Sequence, residues 1–434
     1  MSPASRYSLF SGSYAPEDAV FLLKPVELAP LEIEERERRV QSGECHYSEM
    51  IGPEEAPDPL YMELFADAMD RGLPRLASDF VKLAALVAKK PGPLTLLSIA
   101  RSGTPAGVVL CRLLCGLFSR DAVHFSFSVI RDRGADLNAL KFVASLRPPE
   151  SAVFVDGWTG KGVIARELKK TLAESEGPLG QRFGGDLAVL SDLCGEADMS
   201  PGTDDWLIPT CLLNSTVSGL VSRTVLNRDL IGPGDFHGCV YYRDLEPCDV
   251  SRETADGITR AAEKAARDDP SLLLWDRNVT GMQKAAARVK SIAFLEKVRR
   301  LYGVDDQNLA KPGIGEATRV LLRRSPELLL VRDQDDPDVR HAVLLARARG
   351  VAIENDPSLA YKAAALIRKT CWHGGHGEGD AGSAGGDGSA GGDAGRGGGD
   401  AGSAGGEGGH DGRRGGGDGG SSGKDGPQGS EPER

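Results

Sequence analysis

No two of the eight cysteines in this 434-residue sequence are separated by just two residues, so the CxxC pairs typical of a zinc site are missing. The amino terminus also lacks a basic stretch followed by an apolar run. We therefore expect no secretory signal, reduced thiols and a cytoplasmic protein. Apolar runs fall well short of the ~20 residues that span a bilayer, so we expect no transmembrane helix and no membrane partner.

Positive charge is in short supply, since the sequence has a formal net charge of −11 and a pI of about 5.3. This balance argues against broad attraction of the whole chain to nucleic acid, so any such contact must be local. Residues 374–434 hold 28 of the 56 glycines, with 11 acidic and 5 basic residues. Such a segment has too little apolar surface to offset its ordering entropy, and we expect residues 373–434 to be a disordered, glycine-rich, acidic tail.

Upstream of the tail, apolar strand patterns alternate with amphipathic helix patterns. The predicted strands fall at 94–99, 124–130, 152–155 and 187–190, and the predicted helices at 105–118 and 163–172. This alternation predicts βαβ units, an α/β fold and a mainly parallel sheet within residues 1–256. Function in such sheets gathers at the carboxyl ends of the strands.

A smaller unit follows the larger one. Residues 257–303 are rich in alanine and charged side chains, and we predict a helical connector there. Residues 304–372 then show a compact α/β/α pattern. Its predicted elements are a helix at 315–324, a strand at 328–331, a helix at 338–349, a strand at 351–354 and a helix at 359–369.

A glycine-rich turn follows the predicted strand at 152–155 and leads into a helix. Its glycines let backbone amides turn inward, and the helix presents its positive amino end, which together suit a phosphate. Asp156 ends the predicted strand, where a carboxylate can accept hydrogen bonds from ribose hydroxyls. The predicted phosphate-binding residues are Thr159, Gly160, Lys161 and Gly162.

Other interpretations of this turn are open. A Walker A site is disfavoured, because Gly157 and Gly160 are too close together and Gly162 follows Lys161 where Ser or Thr is required. A structural strand-to-helix turn without a ligand remains an alternative.

A second loop of the same kind follows the predicted strand at 94–99. It combines a cationic fork, two hydroxyls and a glycine, which is what a pyrophosphate requires, although a helix cap is an equal alternative. Its residues are Arg101, Ser102, Gly103 and Thr104. Arg131 and Arg133 follow the next strand and either stabilise a departing pyrophosphate or form a solvated turn.

These motifs carry a resemblance to a known family. The segments 11–24, 46–50, 100–105, 155–162, 213–220 and 235–238 resemble the bacterial phosphoribosyltransferases of tellurium-resistance and stress-response operons. The resemblance covers roughly residues 8–370. It implies a type I phosphoribosyltransferase-like fold and a possible homodimer, although Gly157 stands where that family has a second acid.

The resemblance also implies a reaction, the transfer of a phosphoribosyl group from phosphoribosyl pyrophosphate to a nucleobase-like acceptor. Mg²⁺ and the ribose would be held by Asp156, and the leaving pyrophosphate would be stabilised by Arg101 and Arg131. Catalysis would rest on stabilising charge rather than on a protein nucleophile.

The same family is sometimes described as a stress-induced cysteine protease, and a thiol hydrolase is therefore the alternative function. A thiol needs an imidazole to activate it. The candidate thiols are Cys45, Cys211 and Cys239, with His46 or His237 as the base. A non-catalytic sensor of a phosphorylated metabolite is a further alternative.

The segment Lys311–Arg319 resembles the loop and helix start of the Pelota-type RNA-binding domain. The resemblance implies contact with structured RNA: Gly313 and Gly315 would let the backbone approach closely, Glu316 could meet a base edge, and Arg319 could meet phosphates. A plain helix with a basic face, or a protein-docking module, is the alternative.

Overall fold

Two sheets organise the protein. The structure, a computed structural model, describes residues 9–179 and 182–369, and the predicted tail at 373–434 lies outside the described residues. The first part contains β1 (Val20–Phe21), β2 (Lys24–Pro25), α1 (Ile33–Gln41), α2 (Pro59–Ala88), β3 (Leu94–Ile99), α3 (Thr104–Gly116), β4 (Ala122–Phe127), β5 (Val129–Ile130), β6 (Gly134–Ala135), α4 (Leu137–Ala144), β7 (Ala152–Thr159), α5 (Val163–Leu179), β8 (Leu187–Asp192), β9 (Gly238–Cys239) and α6 (Ser251–Asp268). The second part contains α7 (Gly281–Tyr302), β10 (Ala310–Pro312), α8 (Ile314–Arg323), β11 (Pro326–Val331), α9 (Arg340–Ala348), β12 (Ala352–Asn355) and β13 (Ala363–Ile367).

The large sheet has the strand order β1-β4-β3-β7-β8, and every pairing in it is parallel. Leu97 of β3 lies opposite Phe125 of β4 and Phe154 of β7. The central strand, β3, is buried along its whole length, as expected for a sheet covered by helices on both faces. The prediction of an α/β fold with a mainly parallel sheet is confirmed, and all five strands end at the same edge.

Strand β7 is longer than its apolar residues predict. The sequence places Asp156 at the end of the strand, whereas in the structure Asp156 pairs with Val189 inside the sheet. The strand continues because Trp158 and Thr159 pair with the end of β8. The glycine-rich turn therefore begins at Gly160.

The sheet of the second part has the order β10-β13-β11-β12, and β13 is antiparallel to both of its neighbours. The predicted helix at 359–369 is wrong, because this segment supplies strand β13. Its alanine-rich composition favours a helix locally. Between β10 and β11, however, the alanines are completely buried in the sheet, and that packing overrides the local preference.

The first and second parts share one core. A single hydrophobic cluster contains Val155 and Trp158 of β7 together with Ile314 and Ala317 of α8. Helix α6 begins in the predicted first domain and extends into the predicted connector, and its buried face packs against α2 and α3. Within the described residues, no helix is both long and apolar enough to cross a membrane.

Candidate functional site

The two predicted loops meet at the carboxyl edge of the large sheet, because β3 and β7 are neighbours. The hydroxyl of Ser102 donates to Oδ1 of Asp156 at 2.9 Å, and the backbone amide of Gly157 donates to the same oxygen at 2.8 Å. Loss of solvent contact raises the pKa of Asp156 to about 6. This carboxyl group therefore titrates close to neutral pH.

Most groups of the loop at 101–104 are already engaged inside the protein. Arg101 is 6% exposed and pairs with Glu54 at 2.7 Å. The hydroxyl of Thr104 is 2.8 Å from that of Ser126 in the core. Gly103 packs so tightly on β7 that a Cβ there would lie 2.5 Å from a backbone oxygen. Of this loop, Arg101 and Ser102 line a cavity together with Asp156.

The glycine-rich turn is similarly occupied. Thr159 donates its hydroxyl proton to Asp192 at 2.6 Å, and Gly160 lies against the side chain of Glu316. The ammonium group of Lys161 donates to the carbonyl of Gln307. Its pKa is lowered to about 7, chiefly by loss of solvent and then by neighbouring cations.

A cavity of about 650 Å³, the large cavity, opens beside this turn and is lined by both parts of the chain. Nine cationic and four acidic side chains line it, an excess of five positive charges. The cations are Arg36, Arg131, Lys161, Arg223, Lys311, Arg319, Arg323, Arg324 and Lys369. The acids are Glu37, Asp156, Asp306 and Glu316.

A side cavity of about 250 Å³ adjoins the large cavity, and the charged residues that line both are Asp156, Arg223, Arg319 and Arg323. Ser102 and Cys211 also line the side cavity. Of the thiols in the described residues, Cys211 is the one that lines either of these two cavities. This position distinguishes Cys211 from the other two candidate thiols, Cys45 and Cys239, which line neither cavity.

Arg131 lies at the wall of the large cavity, as its place after a strand predicts. Its guanidinium group lies 5.0 Å from the centre of the Tyr47 ring and donates to Asn308 at 2.9 Å. Arg133 instead points to Glu49, at 3.4 Å. The sequence predicts two equivalent cations here, and the structure places one of them at the cavity.

The residues predicted to meet RNA face the first part of the chain. A Cβ at Gly315 would lie 2.5 Å from the ring of Trp158, and the guanidinium group of Arg319 lies 4.3 Å from the centre of that ring. Arg319 also pairs with Glu316 at 2.8 Å. Gly313 has a φ of 88°, which favours glycine, and its neighbour Ile314 donates a backbone hydrogen bond to the first part. RNA binding by these residues stays a prediction.

No candidate thiol contacts an imidazole directly among the hydrogen bonds of the described residues. His237 pairs with Ser128 and His46 with Ser48, each at 2.8 Å. Burial raises the pKa of Cys239, which has no solvent exposure. Neither histidine is therefore in place as the base that the sequence analysis considered.

Cys211 has an indirect connection to a different histidine. The Thr318 side chain hydrogen-bonds to Cys211, and its Oγ1 lies 2.7 Å from Nε2 of His341. Burial raises the pKa of Cys211 to about 12, and burial lowers that of His341 to about 4. Sequence reasoning missed Thr318 and His341, since a contact across 107 to 130 positions leaves no local pattern.

Magnesium was predicted at Asp156. No group of three or more His, Cys, Asp or Glu side chains in the described residues could hold a metal ion. One carboxylate that already accepts two hydrogen bonds does not fit a metal site built by protein ligands alone. Binding of magnesium at Asp156 stays a prediction.

The cationic character of the cavity was only partly visible in the sequence. Arg223 interrupts the apolar run at 212–226, which is a signal for a charge with a buried role. The contribution of Arg323 and Arg36 depends on how α8 packs against α1, which no local pattern encodes.

The class that these observations define is an α/β protein with a parallel sheet, in which a cationic cavity lies between the carboxyl edge of that sheet and the second part, and a thiol lines the adjoining side cavity. Residues 12–259 match the family model described as tellurite-like stress resistance cysteine protease StiP. The chain belongs to this StiP family. Residues 289–369 match the model of the PELOTA RNA binding domain.

A curated relative of this chain carries the same family description. The cysteine protease StiP of Acinetobacter baylyi is 38% identical over 372 residues, which cover 83% of this chain and 94% of that protein. A solved aminotransferase from Eubacterium rectale is 12% identical and covers 80% of this chain and 83% of its own, with a TM-score of 0.20. A likeness that low carries no argument about this protein.

The prediction of a phosphoribosyltransferase is wrong, because both the family model and the curated relative are described as cysteine proteases. Both loops contain residue types that suit a phosphate, and this composition led to the wrong prediction. In the structure Thr159 donates to Asp192, and Arg101 pairs with Glu54, so these groups have protein partners. The expected relation to the tellurium-associated stress family and to a Pelota-type domain is confirmed.

Proposed function

We propose that this protein is a thiol hydrolase of the cytoplasm and that Cys211 is its nucleophile. The observation that carries the proposal is the position of Cys211 at the wall of the side cavity, beside Asp156 and Arg319. The cysteine protease description of the family and of the Acinetobacter relative supports the same chemistry.

The neighbours of Cys211 provide a route for its proton. The Thr318 hydroxyl, which donates to the carbonyl of Ile314 at rest, turns to Nε2 of His341 and gives it a proton, while Oγ1 accepts the proton of the Cys211 thiol. The His341 imidazole is neutral at neutral pH, since its pKa is about 4, and Nε2 accepts in the tautomer that carries its proton on Nδ1. The positive charge of Arg319 favours the thiolate.

The thiolate then attacks the carbonyl carbon of an amide, and a carbon–sulfur bond forms. The carbon–nitrogen bond breaks as the leaving nitrogen takes the proton back along the same route. Water hydrolyses the thioester, which releases a carboxylate and restores the thiol.

In the resting protein this proton transfer is strongly unfavourable, because the pKa of Cys211 is about 12 and that of His341 is about 4. Both shifts arise from burial. Entry of a substrate or of water into the side cavity must therefore bring the two pKa values closer together before the thiol reacts.

A mechanism-based electrophile such as a peptide vinyl sulfone tests the assignment on the full chain. We expect Cys211→Ser to abolish covalent labelling, while Cys239→Ser, a control for a second buried thiol, leaves it unchanged. Thr318→Val should slow labelling about tenfold and shift its pH profile, and Thr318→Ser should restore both. Labelling of Cys211→Ser at the wild-type rate would show that another thiol is the nucleophile.

A second candidate function is recognition of a phosphorylated metabolite without catalysis. The separation of the two pKa values in the resting site favours it. No covalent labelling of any thiol, together with tight binding of a phosphorylated ligand, would establish this sensor function instead.

A further inference from the structure

Two of the four acidic side chains of the large cavity form ion pairs with cations of its wall. Glu37 accepts from Arg324 at 2.7 Å and lies 3.7 Å from Arg36. Glu316 accepts from Arg319 at 2.8 Å. Glu316 also acts through space on Lys161 and Lys311, so one carboxylate faces several cations of the cavity.

Four of those cations, Lys161, Arg223, Lys311 and Arg323, form no ion pair in the described part of the chain. Lys161 and Arg223 donate to backbone carbonyls, and Arg323 donates to the amide side chain of Asn214. Every one of these acceptors is neutral. These four cations are thus gathered at the cavity with no ion pair of their own in the described residues.

The burial of these cations also changes their pKa values. Loss of solvent, followed by neighbouring cations, lowers the pKa of Lys161 to about 7 and that of Arg223 to about 10. Burial and two neighbouring arginines lower the pKa of Arg323 in the same way. An anion in the cavity would reverse these shifts.

Two guanidinium groups also have unused donors. Nη1 of Arg223 and Nε of Arg323 are buried and have no hydrogen-bond partner in the described residues. A buried N–H without an acceptor is unfavourable, and on a charged group more so. An anion that accepted from these two donors would form charge-assisted hydrogen bonds with both arginines.

Aromatic rings hold the guanidinium groups in place. The ring of Tyr47 has Arg131 at 5.0 Å and Arg223 at 5.4 Å from its centre, and that of Trp158 has Arg319 at 4.3 Å. Planar forks fixed in this way match the oxygens of a phosphate. The rings are occupied by cations, so they favour recognition of phosphate over stacking of a base.

We propose that the large cavity binds a compact anion that carries two or more phosphate groups, and that cations of both parts contact it at once. A volume of about 650 Å³ suits a small organic ligand, not a folded RNA. This proposal rests on the proposed function in one respect, because it takes the phosphate-bearing anion to be the substrate of the hydrolase. Binding itself does not require the thiol.

Calorimetry on the full chain with inorganic pyrophosphate and tripolyphosphate tests the proposal, with citrate as a carboxylate trianion for comparison. We expect both phosphates to bind more tightly than citrate and to raise the melting temperature. Arg323→Gln and Lys161→Met should each weaken binding about tenfold or more. Arg340→Gln, which removes an arginine that is 63% exposed on α9, should have no effect.

Neither Arg323→Gln nor Lys161→Met should unfold the protein, because each removes a charge that forms no ion pair in the described residues. Thermal melts of both variants check this. Cys211→Ser should bind pyrophosphate as the wild type does, so a failed hydrolase assignment leaves this result intact. Absence of pyrophosphate binding, or equal loss in Arg340→Gln, would overturn the proposal. Binding of a kink-turn RNA that is lost in Arg323→Gln, without any binding of pyrophosphate, would assign these cations to RNA.

Discussion

At the scale of single residues, Asp156 is distinguished by a carboxyl group that titrates close to neutral pH. Asp156 has two hydrogen bonds to Oδ1, and Arg319 and Glu316 act on it with opposite sign. Loss of solvent outweighs these contributions. The sequence predicts Asp156 as a site residue from its place after an apolar strand, but its titration depends on residues of the second part.

We expect Asp156→Asn to stabilise the protein at pH 7. The pKa is about 6 in the folded state against 3.8 for the ordinary group, so the folded protein holds a proton that the unfolded chain has lost in this window. Stability therefore decreases as pH rises from about 4 to 6, by roughly 1–2 kcal/mol after allowance for solvent screening. Asparagine removes this dependence.

Urea unfolding of Asp156→Asn at pH 7 and pH 4 measures the effect, which should be present at the higher pH and absent at the lower. Asp335→Asn, at an exposed position, serves as the control. A variant that is less stable than the wild type at pH 7 would show that the ionised carboxylate is held by its neighbours.

Individual elements show where local patterns are sufficient and where they fail. The buried runs of β3 and β8 and the amphipathic start of α8 were predictable, because their residues carry the period of the element. Strand β13 was not, since Ala363–Ile367 has the composition of a helix and is a strand only between two partners. Pairing with β8 likewise extends β7 beyond its apolar residues.

The close approach of α8 to β7 predicts opposite effects for two glycine substitutions within helices. A Cβ at Gly315 would lie 2.5 Å from the ring of Trp158, which is 7% exposed and has little room to move. We expect Gly315→Ala to cost about 1–3 kcal/mol. At Gly257 in α6 a Cβ meets nothing within 4 Å, so Gly257→Ala should stabilise by roughly 0.5–1 kcal/mol.

Denaturant titration of both variants gives the comparison directly. Since alanine favours a helix at either position, a gain of stability in both would mean that Trp158 shifts without cost. A loss in both would mean that the effect does not come from this contact.

At the scale of the whole molecule, the cavity is assembled from residues far apart in the sequence. The two loops at the edge of the large sheet were predictable from strand and turn patterns. The wall that α8 supplies was not, because the docking of one part against another has no period or spacing in the chain. Strand and turn patterns therefore predict which residues lie at the edge of the sheet, but not that α8 supplies a wall of the same cavity.

The described histidines predict acid sensitivity of the whole protein. All four, His46, His124, His237 and His341, have pKa values lowered below 6.5, chiefly by burial. Unfolding in acid therefore takes up protons, so stability is present above about pH 6.5 and is lost as pH falls towards 4. The opposite contribution of Asp156 comes from one group and is smaller.

We expect the free energy of unfolding to fall by several kcal/mol between pH 7 and pH 5. Urea titrations at half-unit intervals measure this, and their slope gives the proton uptake. A constant or rising stability over this range would mean that the histidines are solvated in the folded protein.

The contact in which Gly315 lies on Trp158 and Gly160 lies on Glu316 also constrains how this protein can evolve. Any larger residue at one of these positions demands a compensating change in the other part. The two segments that the family models treat separately must therefore be inherited as a matched pair. Consider a chimera that joins the first part of this chain to the second part of a distant relative. It should fold only if the residues at these four positions all come from the same protein.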